Sequence, residues 1–443
     1  MKKIIETIKN IWAIEDLRNR LLFTLSILAI YRLGSFVVIP GVDPSQLSAL
    51  QDQTADGLLG LLNMFTGGAF SQASIFALGI MPYISAAIVV QLLGMAIPYF
   101  QKLQKEGESG RRKINSITRY LTILITGGQA PGYIANLKAT LPESAFLLPA
   151  GGFWASSIII LVTGTMFVMW LGEKITDRGI GNGISLLIMI GIIAGLPQSL
   201  MQEFVAALGS TGGGLVIFMV EMLALLIVIM LSILLVQGTR RIPVNFAKRV
   251  VGNKQYGGVR QYIPLKVNAS GVMPIIFAQS IMFIPSTIST FFSDSDFSAS
   301  IMRWFSFEHP VYWLFFGLMI VFFTYFYTAI AFDPVQVSSQ MKQQGGFIPG
   351  VRPGKKTSEY IDNILSKVTL PGSIALALVA IFPYILMQAM DVEYDFASFF
   401  GGTSLLIIVG VALDTLQQLE SHLMMRHYDG FLTKGKIRGR RRM

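Results

Sequence analysis

The sequence predicts an all-α polytopic membrane protein with ten transmembrane helices in two pseudo-symmetric halves of five helices. The 443 residues are 53% hydrophobic and only 14% charged, whereas roughly a quarter of the residues in a soluble protein are charged. The apolar residues fall into runs of about 20, the length of a helix that crosses a bilayer. An internal repeat divides these runs into two sets.

Ten apolar runs follow one another along the chain, and each is predicted to be a membrane span. The distribution of Lys and Arg between the connecting segments tests this series of spans, because these residues are enriched on the cytoplasmic side of membrane proteins. With a cytoplasmic N-terminus, 31 of the 35 Lys and Arg residues fall in cytoplasmic segments. Both termini are therefore predicted in the cytoplasm, and the spans are 21–39, 75–97, 117–136, 153–172, 183–203, 215–236, 268–291, 311–332, 369–390 and 400–418.

A short phrase opens the second span and returns near the start of the seventh, 192 residues later. It reads Gly79-Ile80-Met81-Pro82-Tyr83-Ile84 in the first copy and Gly271-Val272-Met273-Pro274-Ile275-Ile276 in the second. The echo predicts equivalent helices in the two halves. Internal repeats in membrane proteins usually place the functional pathway at their interface, so a site is predicted between the halves.

Four segments are predicted along the chain. Apolar residues at helical spacing indicate a cytoplasmic amphipathic segment at 1–20. The N-terminal half follows at 21–205, the C-terminal half at 206–420, and a basic cytoplasmic tail at 421–443.

Two long cytoplasmic loops, 237–267 and 333–368, carry basic residues and Gly and Pro turns. These charges either set the topology or, on projecting hairpins, bind an acidic partner such as ribosomal RNA or an acidic protein surface.

A short apolar segment at 58–70 lies between the first two spans. It is too short to cross a bilayer, and Gly67 and Gly68 interrupt it. It is either an external loop on the membrane surface or a re-entrant element. Such an element is tolerated only where protein or a water-filled cavity surrounds it, which would make it a pore component.

Residues that carry catalysis or bind metals are scarce. His309, His422 and His427 are the only histidines, their spacing matches no metal motif, and the chain has no cysteine. The run 350–356 resembles a phosphate-binding loop superficially, but it ends in Lys instead of Ser or Thr. No cofactor, no metal site and no enzymatic activity are predicted.

Several motifs occur in order on the predicted topology. They are 69–70, 74–85, 105–113, 177–185, 240–245, 264–268, 349–354 and 401–406. On these motifs the chain resembles the SecY family, the channel-forming subunits of the bacterial Sec protein translocon, over nearly its whole length. The resemblance implies two five-helix halves around a central hourglass pore in the plasma (inner) membrane. Unfolded secretory polypeptides would cross through this pore and membrane proteins would insert laterally, driven by a motor ATPase or the ribosome.

The resemblance also implies which residues form each part of the channel. The apolar pore ring is Ile80, Ile84, Ile188, Ile276 and Ile407. The segment 58–70 corresponds to a plug, with Leu61, Leu62, Asn63, Met64, Phe65, Thr66, Gly67 and Gly68. The lateral gate contains Ser85, Ile88, Gln91, Ser280, Ile281 and Ile284. Motor or ribosome docking falls to Arg240, Arg241, Lys248, Arg249, Arg352, Lys355 and Lys356.

The partners implied by the resemblance are of several kinds. They are SecE-like and SecG-like small membrane subunits, the SecA motor ATPase, the ribosome with its RNA, signal peptides and nascent chains, anionic lipids, and accessory SecDF-like and YidC-like proteins.

A two-repeat secondary transporter for small solutes is the alternative function. It would need polar binding residues near the membrane midplane, where this chain has isoleucines. The charged residues Glu221 and Asp414 lie near the ends of spans six and ten and are interpreted as reaching the interface. An intramembrane enzyme lacks a supporting set of residues.

Overall fold

The computed structural model describes residues 12, 14–54, 57–209, 214–246, 249–251, 254–256, 260–268, 271–291, 304, 309–390, 394–397, 399 and 402–434. Its helices are α1 (Glu15–Gly34), α2 (Ser48–Gln53), α3 (Gly57–Phe65), α4 (Met81–Ala96), α5 (Pro98–Lys105), α6 (Glu108–Thr140), α7 (Ala150–Arg178), α8 (Gly183–Gly209), α9 (Gly214–Gln237), α10 (Met273–Phe291), α11 (Pro310–Ala331), α12 (Pro334–Gln343), α13 (Lys355–Met390), α14 (Tyr394–Ala397) and α15 (Gly402–Lys434). Its strands are β1 (Thr239–Phe246), β2 (Arg249–Val251), β3 (Lys254–Tyr256), β4 (Arg260–Lys266) and β5 (Gly346–Phe347).

A helix overlaps each of the ten predicted spans, but these helices differ in length and apolar content. Within the described ranges, six are long and apolar enough to cross a bilayer: α7, α8, α9, α11 with its continuation α12, α13 and α15. The pair α4 and α5, bent by 97°, makes seven if it counts as one span. The chain is therefore a predominantly helical, multi-pass membrane protein, and the total of ten spans stays a prediction.

The helix α6 explains how a less apolar segment can lie in the interior. Thr118, Thr122 and Thr126 recur every four residues on one face and are buried. Each hydroxyl donates to the carbonyl four residues earlier, at 2.7–3.0 Å. Because the helix satisfies its own polar groups, their burial costs little.

The repeated phrase has the same local structure in both copies. Gly79 and Gly271 adopt φ of +53° and +64°, in the left-handed region that glycine enters without steric strain. The helix then begins at methionine, Met81 in α4 and Met273 in α10, and the second residue of each helix is proline. Proline is favoured in the first helical turn because the N–H it lacks has no partner there. The two copies thus open two helices in the same way.

One large buried cluster, the central cluster, joins helices from both parts of the chain. It takes side chains from α1, α4, α7 and α8 on one side and from α10, α11, α13 and α15 on the other. A second buried cluster lies in the N-terminal part and includes Leu50, Phe70, Tyr133, Leu137 and Phe153.

The two basic loops share one three-stranded sheet, and β2 and β3 form a separate two-stranded sheet within the first loop; the all-α prediction included neither. β1 pairs with β4 along its length, and β5 from the second loop adds to the other side of β1. Apolar side chains from both loops pack together beneath it, among them Ile242, Leu265, Met341 and Ile361. The loops are therefore one body and not two separate hairpins.

The predicted chain ends fall largely outside the described residues. Of the predicted segment 1–20, residues 12 and 14–20 are described, and α1 begins within it at Glu15; the rest lies outside the described residues. At the other end, α15 continues to Lys434, well past the predicted span end at 418. Asp414 is exposed as expected, whereas Glu221 is buried by neighbouring helices.

Gly164 tests the packing of α7 on the turn before α4. A Cβ at this position would lie 2.1 Å from the carbonyl oxygen of Ile75, so Gly164→Ala must push α7 away from the turn. We expect a loss of about 1–3 kcal/mol, seen as a lower thermal unfolding midpoint of the purified protein. In Gly152→Ala, on the same helix, nothing lies within 4 Å of the new methyl group, and the midpoint should hold or rise. Equal midpoints for the two variants would contradict this packing.

Candidate functional site

The five isoleucines predicted to line a ring all enter the central cluster. Ile80 and Ile84 stand at the start of α4, and the others are contributed by α8, α10 and α15: Ile188, Ile276 and Ile407. All five are buried, with exposed fractions between 0% and 6%. The structure therefore brings them into one apolar region, and their closure into a ring stays a prediction.

A polar cavity of about 550 Å³ opens beside this region. Its polar lining is Asn182, Ser185, Asp414, Thr415, Gln417, Gln418, Ser421 and His422. On three helices a lining residue stands about one turn from a predicted ring isoleucine: Ser185 before Ile188, Met273 before Ile276, and Val411 after Ile407. Six of the twelve lining residues have neutral polar side chains, and four are apolar or glycine.

The short helix α3 lies within the protein, in contact with the central cluster. Phe65 is buried, and Leu62 and Met64 pack against the cluster. The Ser404 hydroxyl of α15 donates to the Met64 sulfur at 3.4 Å. A Cβ on Gly191 of α8 would lie 3.0 Å from the carbonyl oxygen of Phe65. The segment is thus buried against other helices from Phe65 to Gly67, while Leu62, Asn63 and Met64 are partly exposed; the side chain of Leu61 is outside the described residues.

Hydrogen bonds hold the irregular backbone after α3. The Tyr31 hydroxyl donates to the Thr66 carbonyl at 3.3 Å, and the Arg32 guanidinium donates to the Gly67 carbonyl. The Asn63 side-chain oxygen accepts from the backbone N–H of Ser71 at 3.0 Å. Buried backbone polar groups need such partners.

Sequence analysis missed the roles of Tyr31 and Arg32. The sequence does contain one indication of the role of Arg32. It lies inside a predicted span, where a charge is costly unless it has a partner.

The cavity, the buried isoleucines and the short helix follow one another in the same order along two helices. On α8, Ser185 lines the cavity, Ile188 enters the cluster, and Gly191 meets the segment after α3. On α15 the corresponding positions are Val411, Ile407 and Ser404. At 1.5 Å per residue the order spans about 10 Å on each helix. A thin apolar layer therefore separates the polar cavity from α3.

The predicted gate residues lie on α4 and α10, which pack against each other. Ile88 and Ser280 are buried, and Ile281 packs against the central cluster. The hydroxyls of Ser85 and Ser280 donate to carbonyls of their own helices, at 3.2 and 2.8 Å. The sixth gate residue, Ile284, has its side chain outside the described residues, and Gln91 bonds to a residue of α11.

The predicted docking residues lie on the body formed by the two loops. Arg240 and Arg241 are exposed on β1, and Arg352, Lys355 and Lys356 are exposed after β5. They therefore belong to one body, in which β5 meets β1 at Asn245 and Phe246, the end of the strand away from Arg240 and Arg241. Lys248 and the side chain of Arg249 fall outside the described residues.

Comparison with known proteins gives one consistent family. The SecY family model matches residues 74–416. A protein translocase subunit SecY of Streptomyces scabiei is 44% identical over 434 residues, covering 94% of this chain and 97% of the relative.

Two solved structures have a similar fold. One, described as the structure of a protein conducting channel, has a TM-score of 0.63 at 16% identity and covers 95% of this chain and 94% of its own. The other, Sec61 in the canine ribosome-channel complex from the endoplasmic reticulum, has a TM-score of 0.59 at 16% identity with the same coverage.

Gly67 tests the contact between α8 and the segment after α3. Gly67→Val strains the left-handed backbone (φ +67°) and places a Cβ 2.9 Å from the Gly191 Cα. We expect the segment to leave its seat. A cysteine in place of the buried Phe65 should then react with a maleimide about tenfold faster, the effect of roughly 1.4 kcal/mol.

Gly68→Val is the matched control. It imposes a similar backbone strain (φ +86°), but the nearest atom would be 4.0 Å from the Cβ. It should accelerate labelling much less. Equal labelling rates in the two variants would contradict the close contact with α8.

Proposed function

Because this chain belongs to the SecY family, we propose that it forms a protein-conducting channel. Unfolded secretory polypeptides pass through the apolar region between the polar cavity and α3, and membrane proteins leave laterally between α4 and α10. An external motor ATPase or the translating ribosome supplies the energy.

The order of cavity, isoleucine and short helix on both α8 and α15 carries this proposal. Branched apolar side chains close around a moving chain, and without it they exclude water by dewetting. They offer no fixed charge or directed hydrogen bond, so they accept any sequence. In the resting channel α3 acts as the plug, seated by Tyr31, Arg32, Gly191 and Ser404.

The finer architecture is part of the same proposal. Ten spans form two halves, 21–205 and 206–420, around an hourglass pore in the bacterial plasma membrane, with both termini in the cytoplasm. The equivalent starts of α4 and α10 support the two halves. The charge distribution supports the orientation, because Lys and Arg are enriched on the cytoplasmic side of membrane proteins and most of those in this chain, including those of the basic sheet, then lie on that side.

The basic sheet region is the docking surface for the motor or the ribosome. The exposed Arg240, Arg241 and Arg352 on this one body support the proposal, because positive charge attracts ribosomal RNA or an acidic protein surface. The canine relative of this fold is described in a ribosome-channel complex. The family relationship also supports SecE-like and SecG-like subunits as membrane partners.

The secondary-transporter alternative has no support among the relatives, which are named as protein translocase subunits. Such a transporter would need polar binding residues near the membrane midplane, whereas this chain has the buried isoleucines of the central cluster.

Single cysteines in place of Ile84, Ile276 and Ile407 test the path of the polypeptide. The chain has no cysteine of its own, so each variant carries one thiol. Each should form a disulfide with a stalled secretory polypeptide that bears a cysteine inside the channel. Cysteines at the exposed Leu223 and Leu318 are the controls. Equal capture by controls and ring positions, or solute uptake that responds to the substitutions without any capture, would refute the channel.

Arg352→Glu tests the docking surface. Reversal of an exposed charge on the sheet body weakens binding of an acidic partner, so motor-driven export should fall several-fold in vesicles. Membrane insertion of the variant itself should stay intact. Lys105→Glu makes the same charge change at an exposed position on α5 and should export normally. Normal export in Arg352→Glu would remove this assignment.

A further inference from the structure

A buried carboxyl lies in the membrane-spanning helix α9. Glu221 is only 2% exposed. Within the described part of the chain, its carboxyl oxygen Oε2 is shielded from solvent and has no hydrogen-bond partner. A charged carboxylate without a partner is costly in apolar surroundings, so this oxygen needs an occupant that the proposed channel does not supply.

A second carboxyl stands at the same depth on the neighbouring helix. Glu203 lies six residues before the end of α8, and Glu221 lies seven residues after the start of α9. At 1.5 Å per residue, each is about 10 Å from the connection between the two helices. The helices pack against each other, and at this level the rings of Phe204 and Phe218 meet with their centroids 5.5 Å apart. Glu203 is half-buried, its Oε2 is shielded from solvent, and the two carboxyls lie close enough to repel each other.

The helices around the two carboxyls supply an apolar environment and no cation. Side chains within one turn of each carboxyl belong to an apolar cluster, which includes Leu200, Phe218, Met222, Leu386 and Phe396. The helices α8, α9 and α14 contain no Lys or Arg. α13 has none after Lys367, about four turns before its part of the cluster, and α15 has none before Arg426. A salt bridge to these helices therefore does not neutralise the pair.

Other ionisable side chains near the pair are few. In the part of α13 that joins the cluster, Tyr384 stacks on Trp313 of α11. The helix α15 has no ionisable residue between its start and Asp414. Tyr394 and Asp395 of α14 have side chains outside the described residues. The described ionisable groups that face each other at this level are therefore the two carboxyls.

We infer that Glu203 and Glu221 form a proton-binding site, in which the two carboxyl groups share one proton. Two carboxylates close together in apolar surroundings cannot both keep their charge. One proton lets one carboxyl donate a hydrogen bond to the other, which gives the shielded oxygen of Glu221 its partner. Because α8 is the last helix of the first proposed half and α9 is the first helix of the second, the proton joins the two halves at their junction.

Infrared difference spectra of the full-length protein in lipid nanodiscs at neutral pH test the shared proton. A protonated carboxyl has a C=O stretch that ionised carboxylates lack, and the original protein should show it for one group per molecule. Glu221→Gln should lose this band. Glu203→Gln should lose it too, because the new amide donates a hydrogen bond to the carboxylate of Glu221 and takes the place of the proton. If one of these variants does not fold, the other gives the same comparison.

Glu143→Gln is the matched control, since Glu143 is exposed and its replacement should leave the band unchanged. A band that persists in Glu203→Gln would show that Glu221 holds its proton alone, and this would overturn the shared site. A spectrum of the original protein without the band would mean that a cation or water occupies the pair, and it would overturn the inference as well. These measurements need no translocation, so they do not depend on the proposed function.

Thermal unfolding gives an independent readout of the same proton. Both carboxyls are ionised in the unfolded chain above about pH 5, whereas the folded protein keeps one proton, so its stability should fall as the pH rises. Between about pH 5 and about pH 8, the unfolding midpoint of the original protein should therefore fall more steeply than that of either single variant, by the equivalent of about one proton. Equal slopes in the three proteins would contradict the shared proton.

Discussion

The molecule depends on one constraint: a passage for chains of any sequence must be sealed without charges or directed hydrogen bonds. In the proposed channel the buried isoleucines of the central cluster meet it, because their branched apolar side chains offer a translocating chain no preferred partner. On α8 and α15, the residue that lines the cavity and the residue that contacts α3 or the segment after it are about two helical turns apart, with the isoleucine between them. A polar cavity lies on one side and α3 on the other. Side chains outside this layer carry the polar interactions of the site.

Those polar interactions hold the parts that must move. The backbone after α3 is irregular, and buried backbone groups without partners would be costly. Tyr31 and Arg32 supply two of the donors, and Asn63 supplies an acceptor. At the gate, Gln91 and Tyr327 form a directed bond beside apolar contacts. In the proposed channel the seal is therefore nonspecific, while the plug and gate are held by a few identifiable bonds that opening would break.

Much of the helical framework could be predicted from the sequence. Hydropathy located a helix in each predicted span, and the repeated phrase predicted equivalent helices, which are α4 and α10. The structure adds that both begin alike, after a left-handed glycine and with a proline in the first turn, which are local features. The sheet could not be predicted, since β5 has two residues and its pairing with β1 joins Gly346 to Phe246, one hundred positions apart. The partners of Arg32 and Tyr327 are likewise set by packing between distant segments, which no local pattern encodes.

The central claim is that the two copies of the repeated phrase face each other across one aperture. It is tested most directly by a short bifunctional thiol crosslinker on cysteines that replace Ile84 and Ile276 together. In the resting protein the crosslink should form rapidly and block translocation, and a stalled secretory polypeptide should prevent it by standing between the two thiols. A crosslink that forms equally well with the polypeptide in place would contradict the account.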